Sequence, residues 1–268
     1  MLKIPPFLRR EEESKMLGKA VAGARMKGGF SIERIKTGIA GFDAMIPDGI
    51  PRGSSIQLTG GPGSGKTIFG LQFLVEGARQ FNEPGLYVSF EESEESLKQT
   101  AMLFGWDVEK FEKNGLLDIT SHGVFDVKSF ADSMQGQFKD AIQAQKAKRV
   151  VFDSITSFVA SSENVARVRK EISGLCKRMR QLGVTTIFIA ERPDVQSPIL
   201  PTHDFAVEEF LVDGVVYLHN LFVRDTRQRA VEVLKMRKTA HDTFVRPLKI
   251  ISGEGIRVFN REQIFTEG

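Results

Sequence analysis

The stretch GGPGSGKT, Gly60 to Thr67, constrains this chain more than any other segment in it. It has the spacing G-x-x-x-x-G-K-[ST], and its setting matters as much as its letters. The run SSIQLTG before it reads as a short buried strand. The stretch after it, Lys66 to about Gln80, has apolar positions at Phe69, Phe73 and Leu74 that suit a helix. Glycines let a backbone turn its N–H groups inward around a phosphate. A helix start adds the positive end of its dipole. The segment therefore predicts a strand–loop–helix unit whose Gly61, Pro62, Gly63, Ser64, Gly65, Lys66, Thr67 and Ile68 hold the phosphates of a nucleotide. In that unit Lys66 reaches the β- and γ-phosphates, and the Thr67 hydroxyl ligates Mg²⁺.

Around this unit the chain alternates strand and helix. GLYVSF, LLDITS, KRVVFD and TTIFIA read as strands. Ser93 is placed to cap a helix running to about Phe104. Ser129 to Ala147 and Asn164 to Gln181 read as further helices. Short apolar strands separated by helices pair in parallel, with helices on both faces. After Asp213 the pattern changes to GVVYLHNLFV, RAVEVLKMR, RPLKII and GIRVF, β-like runs joined by short polar turns. These predict antiparallel strands added at the edge of the sheet. The expected fold is thus α/β, with a mainly parallel central sheet and antiparallel C-terminal edge strands. Residues 1 to about 30 read as an N-terminal arm or amphipathic helix, broken at Gly28 and Gly29, and 31–268 as one domain.

Carboxylates at strand ends supply the next candidates. Asp153 closes the apolar run of KRVVFD, where a carboxylate beside a phosphate loop holds the Mg²⁺ shell. Glu91 and Glu92 follow GLYVSF and face the same crevice, where a carboxylate can orient or deprotonate an attacking water. Glu94 and Glu95 read instead as first-turn residues that favour the next helix start.

These segments together resemble the KaiC-like branch of the RecA superfamily. The resemblance rests on RIKTGIAGFDAMIPDGIPRGSSIQLTGGPGSGKT, YVSFEES, RVVFDSI, VDGVVYLHN and VLKMRKTAHD, in that order, and spans Arg34 to Phe259. It implies a RecA-like core, bound ATP and Mg²⁺, and assembly into a homo-oligomeric ring, usually of six subunits, with ATP between neighbours. It implies that Lys66, Thr67 and Asp153 act within one subunit, with Glu91 and Glu92 activating water. It also implies that Lys235 and Arg237 reach the γ-phosphate of the next subunit, with Thr239 and His241 at neighbouring interface positions. Glu191, at the end of TTIFIA, stands where recombinases and helicases of the superfamily carry a glutamine-like γ-phosphate sensor. The circadian clock protein of this family has two such domains in tandem, and this chain has one.

Composition weighs on the alternatives. With 37 basic and 34 acidic residues the net charge is +3, which is not the balance of a general nucleic-acid binder. A DNA-dependent recombinase or helicase would bind strands through a loop such as ERPDVQSPILPTHDFAVEEFLVDG, but its acidic residues outnumber its basic ones. An autokinase or signalling scaffold is a further reading, with only the hydroxyls of Ser154, Thr156 and Ser157 to recommend it. The single cysteine, Cys176, permits no internal disulfide. A reducing, cytoplasmic setting and no membrane insertion are expected. His122 and His219 lack ligand spacing, so no protein-built metal site is expected, and Trp106 reads as core.

Overall fold

The computed structural model describes residues 32–123, 136–156, 164–192, 207–223 and 225–262. In chain order its elements are β1 (Arg34–Ile35), β2 (Ile50–Pro51), β3 (Ser55–Gly60), α1 (Lys66–Phe81), β4 (Gly85–Ser89), α2 (Glu94–Leu103), α3 (Val108–Lys113) and β5 (Leu117–Ser121). There follow α4 (Gln137–Ala144), β6 (Arg149–Asp153), α5 (Val165–Gln181), β7 (Thr185–Glu191) and α6 (Val207–Leu211). The described chain closes with β8 (Gly214–Val223), β9 (Thr226–Met236), β10 (Arg246–Ile251) and β11 (Gly255–Val258). Residues 1–30, read from sequence as an arm, lie outside the described residues, as do 129–135 of the helix expected from Ser129 and the segment 193–206 of the acidic loop.

Among the described residues one sheet holds nine strands in the order β11-β10-β9-β8-β3-β7-β6-β4-β5. The strands from β5 to β8 pair in parallel, and β8 through β11 pair antiparallel. The sequence expectation of a parallel sheet with an antiparallel margin is met. The reason is visible in β3. Its residues are buried on both faces although Ser55, Gln57 and Thr59 are polar, because β7 and β8 flank it and helices cover it. One apolar cluster gathers α1, Phe42, Tyr87, Trp106 and Ile256. The other gathers α5 with Phe138, Phe152 and Cys176. The Ser93 hydroxyl accepts from the Ser96 N–H and caps α2, with Glu94 and Glu95 in its first turn.

The segment before the phosphate loop is a clamp rather than a linker. The Asp43 carboxylate accepts from the Thr37 N–H, the Thr37 hydroxyl and the Gly38 N–H at 2.7–2.9 Å. This turn presents Ile39, Phe42, Met45 and Ile46 to the core, and Phe42 meets Phe69 of α1 edge to face, 5.1 Å between centroids.

Arg149 locks that clamp to the sheet. Its side chain has no solvent exposure. It pairs with Glu83 at 2.7 Å and donates to the carbonyls of Lys36, Thr37 and Phe73. Its guanidinium lies over the Phe73 and Phe81 rings. Gly77 makes room for it, since a Cβ there would stand 2.5 Å from Arg149 Cδ. Glu83 also accepts from Arg52, but the carbonyls of Lys36, Thr37 and Phe73 would lose this donor, and removing one member of a buried, hydrogen-bonded pair costs roughly 3–5 kcal/mol. Arg149→Met should therefore lower the unfolding free energy by that amount in urea titration. A midpoint unchanged from the parent would show that Glu83 and the carbonyls find other partners.

In β9 the register slips by one residue. Lys235 faces Val215 and Val233 faces Val216, which leaves Leu234 as a bulge. Val231 and Val233 pack into the cluster around α1, while Lys235 shares a face with Val215 in the other cluster.

Candidate functional site

Gly65 ends the loop with φ 102, a left-handed conformation that glycine adopts without strain, and α1 begins at the next residue. The loop is braced from the antiparallel side. Arg229 Nε donates to the Gly63 carbonyl at 2.8 Å, and Asn220 Nδ2 donates to the Pro62 carbonyl at 3.1 Å. Sequence reasoning missed both braces. A hydrogen bond to a loop carbonyl leaves no local pattern.

Pro62, Gly63, Gly65, Lys66, Thr67, Ile68, Glu91, Glu92, Asp153 and Glu191 line one cavity of 370 Å³. The expected phosphate-loop, strand-end and acidic residues thus come together. Gly61 and Ser64 belong to the same loop, and Lys66 Nζ donates to the Gly61 carbonyl at 3.0 Å. Glu191 Oε1 stands 4.0 Å from Lys66 Nζ. The Thr67 hydroxyl donates to Asp153 Oδ2 at 3.0 Å, and Tyr87 donates to the same oxygen at 2.5 Å. Tyr87 is buried, and burial together with the Asp153 charge pushes its pKa up, so it remains a donor. Its hydroxyl had a legible signal in sequence. A tyrosine in an otherwise aliphatic strand needs a partner for its O–H.

The two glutamates are held differently. Ser154 Oγ donates to Glu91 Oε1, directly after the Asp153–Ser154 peptide, which is cis. Glu92 accepts from Ser96 Oγ at 2.9 Å and leans on α2. Glu91 is thereby tied to the Asp153 strand end and Glu92 to a helix start.

Burial raises the Asp153 pKa to about 6, helped by Glu91 and Glu92 and opposed by the Tyr87 and Thr67 hydroxyls. The folded state then favours the neutral acid. Stability from this group is full below the ordinary carboxylate pKa and is lost as pH rises through about 6. In EDTA, Asp153→Asn should gain on the parent by about 1 kcal/mol between pH 5 and pH 8. Parallel urea midpoints for the two proteins across that range would show Asp153 to be solvated instead.

The donor set suits Mg²⁺ with a nucleotide. Thr67 and Asp153 offer hard oxygens, and Lys66 and the α1 start offer positive charge. Lys235, Arg237, Thr239 and His241 are not in the cavity. Arg237 N–H donates to the Asp213 carbonyl, and Asp213 N–H donates to that of Ser55. Arg237 is therefore level with Ser55, five residues or about 17 Å back along β3 from Gly60. Lys235 Nζ donates to the Glu209 carbonyl at 2.8 Å, and Arg237 Nη2 to the Phe210 carbonyl at 2.7 Å. The two share a side, as strand alternation predicts. Lys238 is exposed because the strand has already ended and turns at φ 60. Thr239 Oγ1 accepts from Arg34, and His241 Nδ1 lies 3.0 Å from the Asp242 carbonyl.

A phosphate loop on β3, an acidic end on β6 two strands away and an antiparallel margin beyond β8 define the RecA-like class of P-loop ATPase folds. Comparison with known proteins narrows the class. The family model described as "ATPase: KaiC" matches residues 35–263, and the chain belongs to that family. The circadian clock oscillator protein KaiC of Nostoc sp. is 37% identical over 241 residues, covering 86% of this chain and 45% of that one. KaiC of Thermostichus vulcanus is 38% identical over 238 residues, 85% of this chain and 44% of the relative. The chain thus spans about half the length of these relatives. Among solved structures, the KaiC-like protein of the hyperthermophilic archaeon Pyrococcus horikoshii OT3 superposes with TM-score 0.73 at 36% identity, covering 85% of this chain and all of that one. No helix among the described residues is long and apolar enough to cross a membrane.

Proposed function

We propose that this KaiC-family ATPase domain is a Mg²⁺-dependent ATPase that works as a homo-oligomeric ring, with ATP at subunit interfaces and slow turnover acting as a conformational switch. One observation carries the reading. Lys66, Thr67, Asp153 and Glu91 share a cavity, while Lys235 and Arg237 stand about 10 and 17 Å back along the strands from Gly60 and donate to carbonyls of α6. A site built from the first set lacks its arginine, and a neighbour can supply it.

Lys66 and the loop N–H groups hold the phosphates. Thr67 and Asp153 hold Mg²⁺, which neutralises charge on the phosphate oxygens when bound. Glu91 orients and deprotonates the attacking water, with Ser154 fixing its carboxylate; Glu92 supports the same acidic edge. Lys235 and Arg237 of the adjoining subunit stabilise the charge that develops on the transferred phosphoryl group, and Thr239 and His241 lie at that contact. Arg227, Arg229, Lys249 and Ile250 line a cavity of 630 Å³ on the far side of the Arg229 brace, with basic and apolar walls that suit the ribose and base.

Mass measurement in solution, paired with phosphate release, tests this. A multimer that forms or tightens with ATP·Mg²⁺, and hydrolysis that EDTA abolishes, are expected. A monomer that hydrolyses ATP at full rate would end the interface reading.

A further inference from the structure

The chain leaves β7 at the nucleotide cavity and returns through α6 to start β8 at the opposite end of the sheet. Three sets of contacts fix this short helix. At the cavity end, Glu191 is 4.0 Å from Lys66 Nζ, and the next residue, Arg192, has its N–H on the Gly60 carbonyl. The Arg192 Nε lies 3.8 Å from Glu209 Oε1, whose side chain is only 3% exposed. At the far end, the carbonyls of Glu209 and Phe210 accept from Lys235 and Arg237. Beyond them Asp213 takes both Arg180 and the Ser55 N–H, and Arg237 lies 3.9 Å from it.

A buried carboxylate facing an arginine is an unusual anchor for a five-residue helix. It is also a direct link between the residue beside Glu191 and the two carbonyls that hold the basic pair. The Arg192 side chain thus meets the carboxylate of the same residue whose carbonyl holds Lys235.

We propose that the Arg192–Glu209 pair is a positioning device, through which α6 sets the pose of Lys235 and Arg237 for the neighbouring subunit and ties it to the state of this subunit's own nucleotide site. The proposal rests on the reading that Lys235 and Arg237 act in trans. Neither Arg192 nor Glu209 lines the nucleotide cavity. They act through the helix whose carbonyls hold the basic side chains.

Mixed assemblies separate the two ideas. Arg237→Ala subunits keep a complete cavity and lack the finger. Glu91→Ala/Glu92→Ala subunits keep the finger and lack the water-activating carboxylates. Mixing them should restore hydrolysis. The device is then tested only on the finger donor, by adding Arg192→Ala or Glu209→Gln to the Glu91→Ala/Glu92→Ala subunit. Recovery should fall at least tenfold, while the donor's melting temperature, ATP binding and incorporation into the assembly stay as in its parent. Arg192→Lys on the same donor should return part of the recovery. Undiminished recovery with Arg192→Ala and Glu209→Gln donors overturns the positioning role and leaves the trans reading standing. A loss that follows a fall in melting temperature or incorporation, without return by Arg192→Lys, assigns the pair to stability alone and overturns the proposal too. No recovery in the parent mixture removes the trans reading and this proposal with it.

Discussion

Replacing Lys66 with alanine will abolish tight ATP binding. The ammonium is nearly buried, rests on the Gly61 carbonyl at 3.0 Å and faces the cavity that Glu91, Asp153 and Glu191 also line. A charge-assisted contact to phosphate in such a setting, removed from one side only, costs about 3–5 kcal/mol. That corresponds to a loss of about two to four orders of magnitude in affinity. Titration with a fluorescent ATP analogue reads it directly. The melting temperature without nucleotide should scarcely change, because the ammonium binds the rest of the chain weakly, through a hydrogen bond to a loop carbonyl and a long approach to Glu191. Affinity within a fewfold of the parent would place the nucleotide somewhere other than this loop.

Arg237→Ala should leave ATP binding within a fewfold and cut hydrolysis by about three orders of magnitude or more, the scale of an arginine finger. The fold should tolerate it. The side chain is about half exposed, and it bonds to the Phe210 carbonyl and lies at long range from Asp213. Exposed interactions of that kind contribute under about 1 kcal/mol. Mixing this variant with Glu91→Ala/Glu92→Ala protein should recover hydrolysis that neither has alone. Absence of recovery, with co-assembly verified by mass, would mean that each chain completes its own site.

Much of this architecture was legible because the strong local signals agree with the tertiary outcome. The GGPGSGKT glycines, the Ser93 cap and the Asn164 cap of α5 each state a local geometry that the fold keeps. The cavity was legible for a related reason. Parallel strands put their C-terminal ends on one edge, so Glu91 and Asp153 had to fall beside the loop. Short elements escaped. α3 is six residues, too few for a periodicity, and its Asp107 cap passes for a loop aspartate. The two-residue strands β1 and β2 are defined only by each other. Long-range polar interactions escaped for a different reason. Arg149 looked like the leading residue of an apolar strand. What makes it a core residue is Glu83, the Phe73 carbonyl and the space over Gly77, none of which is near it in sequence. Arg229 on Gly63 and Arg192 on Glu209 are of the same kind.

The slip at Leu234 sets a constraint of arithmetic on this part of the chain. Upstream of it, odd-numbered side chains such as Val231 and Val233 enter the core around α1; downstream, the odd-numbered Lys235 and Arg237 turn to the opposite face and the even-numbered Met236 takes their place in that core. Parity is inverted at a single residue. Without the bulge, unbroken alternation at the present length would drive the Lys235 ammonium among valines and expel Met236, whereas deleting Leu234 would remove the bulge and leave both on the faces they now take. The bulge, and not the side chain at position 234, keeps the basic pair out of that core at this chain length. The spacing between the core valines and the basic pair therefore behaves like a reading frame carrying one extra residue, which the bulge absorbs.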